Sequence, residues 1–234
     1  MSDPSSPPPP ALVATPRIRI ATRDDIGTAA AVLTDALIDD PVTRWVFPDD
    51  RDRPLALPEF FREVVSETLS RGEVHLTEED DAVVLLTPPT TDLHRRTGHA
   101  PGAAGPGAHP AGRPAQIERL LHAHHPRERH YYVQFQAVLP GRQGQGLCSA
   151  LLHRILARAD AEGVGAYIEC STPRSLALLL RHGFRELPPI QLPDGPALHP
   201  AWRDPRRAAA HRRPAHAPRS TTGRHRREAP PWTH

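Results

Sequence analysis

The chain has 234 residues, a net charge of +2, 38% hydrophobic residues and 29 prolines. That composition supports one mixed domain but excludes a core running the full length, because proline-rich polar stretches bury too little apolar surface to offset their ordering entropy. Two cysteines, Cys148 and Cys170, exclude a disulfide framework, and no apolar run nears the ~18 residues that span a bilayer.

Residues 1–10 lack the basic and apolar regions of a secretory leader, so the expected location is the cytoplasm. All 29 basic residues are arginine and asparagine is absent, the mark of GC-rich coding rather than of chemistry.

Residues 1–16 form a Pro/Ser leader without periodicity, expected to be disordered. Residues 17–21 alternate polar and apolar, a short half-buried strand. Thr22, with Asp24 and Asp25 behind it, opens a helix carrying Ile26, Ala29, Ala30, Leu33, Ala36 and Leu37, expected to stop before Pro41. A second helix fits 58–70, with Phe60, Phe61, Val64, Val65 and Leu69 on one face and Gly72 as its stop.

Residues 73–77 and 82–87 read as a strand pair around the acidic turn 78–81. The Gly/Ala/Pro/His stretch 98–114 reads as a mobile loop, followed by a short helix over 116–123. A strand over 130–138, a helix over 147–161, a strand over 166–171 and a helix over 173–182 ended by Gly183 come next. Residues 187–192 and 197–202 pair as a last hairpin across Pro193-Asp194-Gly195. This order predicts an α/β (α+β) domain of about seven strands over 17–205, with a basic disordered tail over 206–234.

In that tail, arginines 206, 207, 212, 213, 219, 224, 226 and 227 face one acid, Glu228. The rest of the chain is therefore net negative, which attracts a cationic substrate.

The segment that carries chemistry is Gln143-Gly144-Gln145-Gly146-Leu147-Cys148-Ser149, a glycine-rich turn between a strand and a helix. Successive main-chain amides there, with those of the first helical turn, form a concave donor set at the positive end of the helix dipole. A pyrophosphate fits such a corner, and glycine lets its oxygens approach the backbone. Strand–turn–helix alone also suits nucleotide folds or a plain connection, but the phosphate-loop and dinucleotide fingerprints are both missing.

This turn resembles the Q/R-x-x-G-x-G/A signature of the GNAT superfamily of N-acetyltransferases, with Cys148 where the family has glycine or alanine. Downstream, residues 167–176 and Arg181-His182-Gly183-Phe184 resemble the puromycin acetyltransferase branch, as do His124, Pro126 and the turn at 192–196. The similarity covers about residues 17–205.

The resemblance implies a GNAT-like, mostly antiparallel mixed sheet flanked by helices, with strands four and five splayed. It implies an acetyl-CoA co-substrate without a metal, held by Ala137, Val138, Gln143, Gly144, Gln145, Gly146, Leu147, Cys148, Ser149 and Ser175. Direct attack by the primary amine of a small molecule on the thioester is the implied reaction. The family's tyrosine acid falls on Leu179, which cannot donate a proton, and its preceding asparagine falls on Ser175.

Glu169, on the short strand beside the expected gap, is the candidate general base, with a structural or substrate-positioning role as the alternative. Asp39 and Asp40, just before the Pro41 break, are candidates to meet a cationic amine, although helix-end carboxylates are usually solvated. Tyr131 and Tyr132 face opposite sides of their strand; packing is the default reading for both, with an acceptor-pocket role open for one. His122, His124, His125 and His130 lack a zinc spacing, and the tail lacks a nucleic-acid fold signature, so neither a metal nor nucleic acid is expected.

The leading expectation is an acetyl-CoA-dependent N-acetyltransferase. Its rivals are a catalytically weakened acyl-CoA-binding sensor or partner protein and, last, a nucleic-acid binder driven by the tail.

Overall fold

The computed structural model describes residues 16–89 and 112–206. The expected leader before Pro16, most of the expected loop and the tail beyond Arg206 lie outside the described residues.

The order begins β1 (Ile18–Ile20), a 3-10 turn (Arg23–Asp25), α1 (Ile26–Leu37), α2 (Pro41–Val46) and α3 (Arg53–Arg71). It continues with β2 (Glu73–Thr77), β3 (Ala82–Thr87), α4 (Arg113–His124), β4 (His130–Val138) and a 3-10 turn (Pro140–Arg142). Then come α5 (Leu147–Glu162), β5 (Gly165–Cys170), α6 (Pro173–Arg181), β6 (Arg185–Glu186), β7 (Ile190–Gln191) and β8 (Ala197–Arg203). The sheet runs β1-β2-β3-β4-β5-β8-β6, with β7 also on β8. Every pairing is antiparallel except β4 with β5.

The sheet has both faces covered. Along the fully buried β3, Val83 and Leu85 pack into a cluster with α1 and α3, through Leu33, Phe61 and Val65. Ala82, Val84 and Leu86 enter the opposite cluster with Leu151, Leu152 and Ile155 of α5. The two-residue period of a strand and the helical spacing of its neighbours account for both layers.

Four local expectations are corrected. Pro41 opens α2 rather than merely stopping α1: Asp40 caps it, its carboxylate accepting from Val42 N at 2.9 Å and Thr43 N at 3.3 Å. The helix expected over 58–70 starts at Arg53, with Pro54 in its first turn and Pro58 inside it. Arg113 and Pro114 belong to α4 rather than to a loop, because the Arg113 guanidinium stacks over Trp45 and donates to its carbonyl at 2.8 Å. The last hairpin is split, since Pro188 and Pro189 cannot donate to a ladder; β6 and β7 pair β8 separately, giving eight strands instead of about seven.

Candidate active site

The site begins where β4 and β5 part. Their parallel register runs from His130↔Gly165 to Val133↔Ile168. β4 then continues to Val138, while Glu169 and Cys170 of β5 pair with Pro200 and His199 of β8. The parting coincides with a bulge. Leu85 faces Phe135 and Leu86 faces Val133, so Gln134 is the extra residue on β4. A bulge bends its strand and re-aims its side chains; the Gln134 side-chain oxygen accepts from Thr68 Oγ1 of α3 at 3.0 Å.

Beyond the fork, the chain turns through Pro140–Arg142 into the glycine corner. Gly144 and Gly146 have φ of +79° and +83°, and a Cβ at either would meet open space. Residues 143–146 are exposed, and α5 starts at Leu147 with no side chain capping its first amides. These amides lack intrahelical partners by the geometry of a helix start. The corner is anchored from behind: Arg142 Nε donates to Asp81 at 2.7 Å, and the same carboxylate accepts from Thr77 Oγ1 at 2.6 Å. Burial pushes the Asp81 carboxyl up, but Thr77 and Arg142 outweigh it and hold it below the usual range.

Of the residues expected to hold a cofactor, Gln143 to Ser149 lie together at this corner. The Gln143 amide reaches the Val138 carbonyl only at 3.5 Å. Ser149 Oγ lies 3.0 Å from His182 Nε2, which ties the first turn of α5 to the end of α6. Ala137 and Val138 are buried on β4 past the fork, facing Val83 and Ala82. Ser175 sits across the fork in the first turn of α6, its amide held by the Thr172 cap at 3.2 Å.

A cavity of about 280 Å³ fills the fork and extends under α1, α2, α3 and α4. Gln136, Cys148, Ile168, Glu169, Ser175, Leu178 and Leu179 line its sheet end. Gln136 Nε2 spans the fork side, donating to the Cys148 carbonyl at 2.8 Å. Leu179 is buried at 1% exposure, so an apolar side chain stands where the resemblance placed a proton donor.

Glu169 is half-buried at the fork, and burial pushes its carboxyl up to about 7, partly opposed by Tyr132 and Tyr167, which favour the charged form. Oε1 of Glu169 and the Tyr167 hydroxyl are nonetheless buried without a hydrogen-bond partner among the described residues. An unpaired buried polar atom costs about 1–3 kcal/mol, so Glu169 Oε1, at the cavity wall, gains from a hydrogen-bond donor on a guest.

Of the adjacent tyrosines, Tyr132 lines the cavity, while Tyr131 donates to Glu162 on the other face at 2.6 Å. Asp39 and Asp40 also divide. Asp39 is exposed and ion-paired with Arg44 at 3.3 Å, whereas Asp40 lines the cavity and accepts from Ser171 Oγ. The usual fate of helix-end carboxylates thus holds for one of the two.

His125 and His130 are buried with their Nε2 atoms 3.2 Å apart, whereas His122 and His124 are exposed. No group of three or more His, Cys, Asp or Glu side chains among the described residues is placed to hold a metal. No helix among them is long and apolar enough to cross a membrane.

Residues 111–184 match the model of the acetyltransferase (GNAT) family. The fold is the mixed α/β GNAT fold. A solved structure described as histone acetyltransferase HPA2 and related acetyltransferase from Corynebacterium glutamicum is 25% identical, with 83% of this chain and 99% of that chain covered at a TM-score of 0.62. A Drosophila melanogaster polyamine N-acetyltransferase that forms N-acetylagmatine is 14% identical over 80% of this chain and 98% of that one, TM-score 0.53. An agmatine N-acetyltransferase is 13% identical over 81% and 99%, TM-score 0.55. The last two likenesses concern the fold alone.

Proposed function

We propose that this chain is an N-acetyltransferase of the GNAT superfamily that moves an acetyl group from acetyl-CoA to the primary amine of a small molecule by direct attack. The observation that carries this reading is the conjunction at the fork. An exposed, positive-φ glycine corner opens at one end of the parted strands, and a carboxyl raised to about 7 stands at the other.

The residues fit the co-substrate: a Cβ-free corner with amides left by the helix start suits a pyrophosphate. Gln143, Gly144, Gln145, Gly146, Leu147, Cys148 and Ser149 would hold it, with Ala137, Val138 and Ser175 along the pantetheine arm. When bound, acetyl-CoA supplies an acyl group activated as a thioester.

Glu169 takes the proton from the incoming ammonium; a base near 7 is half-ionised at neutral pH and strong enough for the task. Fixing both reactants in one cleft supplies much of the remaining rate. Cys148 and Cys170 both line the cavity, but burial pushes their thiols up to about 11 and about 12. Protonated thiols are poor nucleophiles, which favours direct attack over an acyl-cysteine route. The cytoplasm is the proposed location.

A second reading, an acyl-CoA-binding sensor, is favoured by one observation, the buried Leu179 in place of a proton donor. Release of free thiol from acetyl-CoA across a panel of amines separates the two. Amine-dependent release supports the transferase; saturable binding of coenzyme A with no release from any amine supports the sensor.

A further inference from the structure

We propose that the acceptor is an arylalkylamine: one primary ammonium on a short chain carrying an aromatic body. This rests on the transferase reading above and narrows it.

The chain has five phenylalanines, and four of them, Phe47, Phe60, Phe61 and Phe135, line this cavity. They form a continuous edge-to-face series, with centroids 5.3 Å apart for Phe47–Phe60, 5.1 Å for Phe60–Phe61 and 5.6 Å for Phe61–Phe135. Only Phe61 is fully buried; Phe47, Phe60 and Phe135 keep accessible ring surface where they line the cavity. Edge-to-face geometry is what an aromatic guest would extend.

Charge and hydrogen-bond inventory select the rest of the guest. The carboxylates and histidine lining the cavity are Asp40, Glu118, Glu169 and His125; no arginine lines it among the described residues, although the chain is rich in arginine. An acceptor bearing a carboxylate would face three carboxylates and no arginine among the described residues. The polar lining is largely engaged already: Gln136 on Cys148, Gln134 on Thr68 and Ser171 on Asp40. A polyhydroxylated amine would therefore leave its own hydroxyls unsatisfied, a strong penalty in a desolvated site.

A second ammonium would have to rely on Asp40, already accepting from Val42 N, Thr43 N and Ser171 Oγ, or on Glu118. For Glu118 the electrostatics are unfavourable. Burial, then the neighbouring Glu67 carboxylate, pushes its carboxyl up and so disfavours the charged form. One cation at Glu169 and an apolar remainder is the guest that leaves fewest groups unpaired. The volume of about 280 Å³ suits a single ring with a short chain.

The test uses the full chain with acetyl-CoA and follows thiol release with phenethylamine, butylamine, putrescine, spermidine, glucosamine and phenylalanine. Phenethylamine is expected to exceed butylamine in kcat/KM by about 10–100-fold, and the polyamines, the sugar and the amino acid by more. Phe60→Ala should shrink the phenethylamine-to-butylamine ratio about tenfold. Phe60 is part-exposed, which spares the core. Calorimetric binding of phenethylamine to the coenzyme A complex covers the case of slow chemistry.

A preference for putrescine, spermidine or glucosamine would overturn the arylalkylamine assignment while leaving the transferase standing. So would an unchanged ratio in Phe60→Ala. Phenethylamine binding without release from any amine would instead overturn the transferase reading and leave the guest assignment intact. Neither binding nor release would defeat both.

Discussion

Asp40 and Ser171 join the two halves of the cleft: the Ser171 hydroxyl, just after β5, donates to the carboxylate that caps α2. One side chain thus starts the helix that walls the cavity and ties it to the strand carrying Glu169. Asp40→Ala removes both functions. It should cost about 0.5–2 kcal/mol of stability as a lost cap and raise the amine KM several-fold more than the acetyl-CoA KM. Denaturant unfolding and two-substrate kinetics check both numbers.

Glu169 predicts the pH profile. With its carboxyl near 7, kcat/KM for the amine should rise with pH through about 7 as the base ionises. Glu169→Gln should lower turnover about 10²–10⁴-fold and abolish that limb.

The same residue predicts a stability signature of opposite sense. Its folded value lies above the ordinary carboxyl value of 4.5, so between about 4.5 and 7 the native state binds more protons than the unfolded one. Stability then falls as pH rises through that window. Glu169→Gln should therefore be more stable than the parent at pH 8, by up to about 3 kcal/mol, and similar to it below pH 4.5. Thermal melts at pH 4 and pH 8 measure the difference.

Leu179 tests proton donation to the departing thiol. If that step limits turnover, Leu179→Tyr should raise kcat, by up to the ~10²-fold at the lower end for one general acid. Stopped-time thiol release checks this alongside a melt, because Leu179 is buried and a larger side chain strains its surroundings. An unchanged kcat in a folded variant would show that the step is not limiting.

Gly146→Ala should separate binding from folding. At φ +83° a side chain costs about 1–2 kcal/mol of backbone strain, but the added Cβ meets open space. Stability should fall by about that amount, while the acetyl-CoA KM rises by more than tenfold, because the methyl intrudes where phosphate oxygens approach the amides.

Local periodicity carried much of the fold. The pair Glu73–Thr77 and Ala82–Thr87 and the strand His130–Val138 lie where alternation and β-branched content put them. The helix after the glycine turn begins at Leu147 as its apolar spacing requires. The start of α2 was also legible, because Asp40-Pro41 is an N-cap followed by proline as much as it is a stop.

The helical wall of the cavity was not legible. Phe60 and Phe61 both fall within the apolar face read from the sequence, yet one is part-exposed at a cavity and the other fully buried. The wall is set by tertiary contacts: α2 is pinned to the turn before β8 by Trp45 Nε1 donating to the Pro193 carbonyl at 2.9 Å, a contact 148 residues apart, and Phe47 after α2 packs on Phe60. Nor does spacing reveal that Tyr132, rather than Tyr131, faces Glu169, since alternation fixes opposite faces without saying which face meets the cleft.

The glycine corner and the fork between β4 and β5 are the proposed acetyl-CoA site. Calorimetric titration of the purified full chain with acetyl-CoA tests it most directly. One saturable site per chain, weakened more than tenfold by Gly146→Ala, is the predicted result. No heat of binding at millimolar acetyl-CoA, or binding untouched by Gly146→Ala, would contradict it.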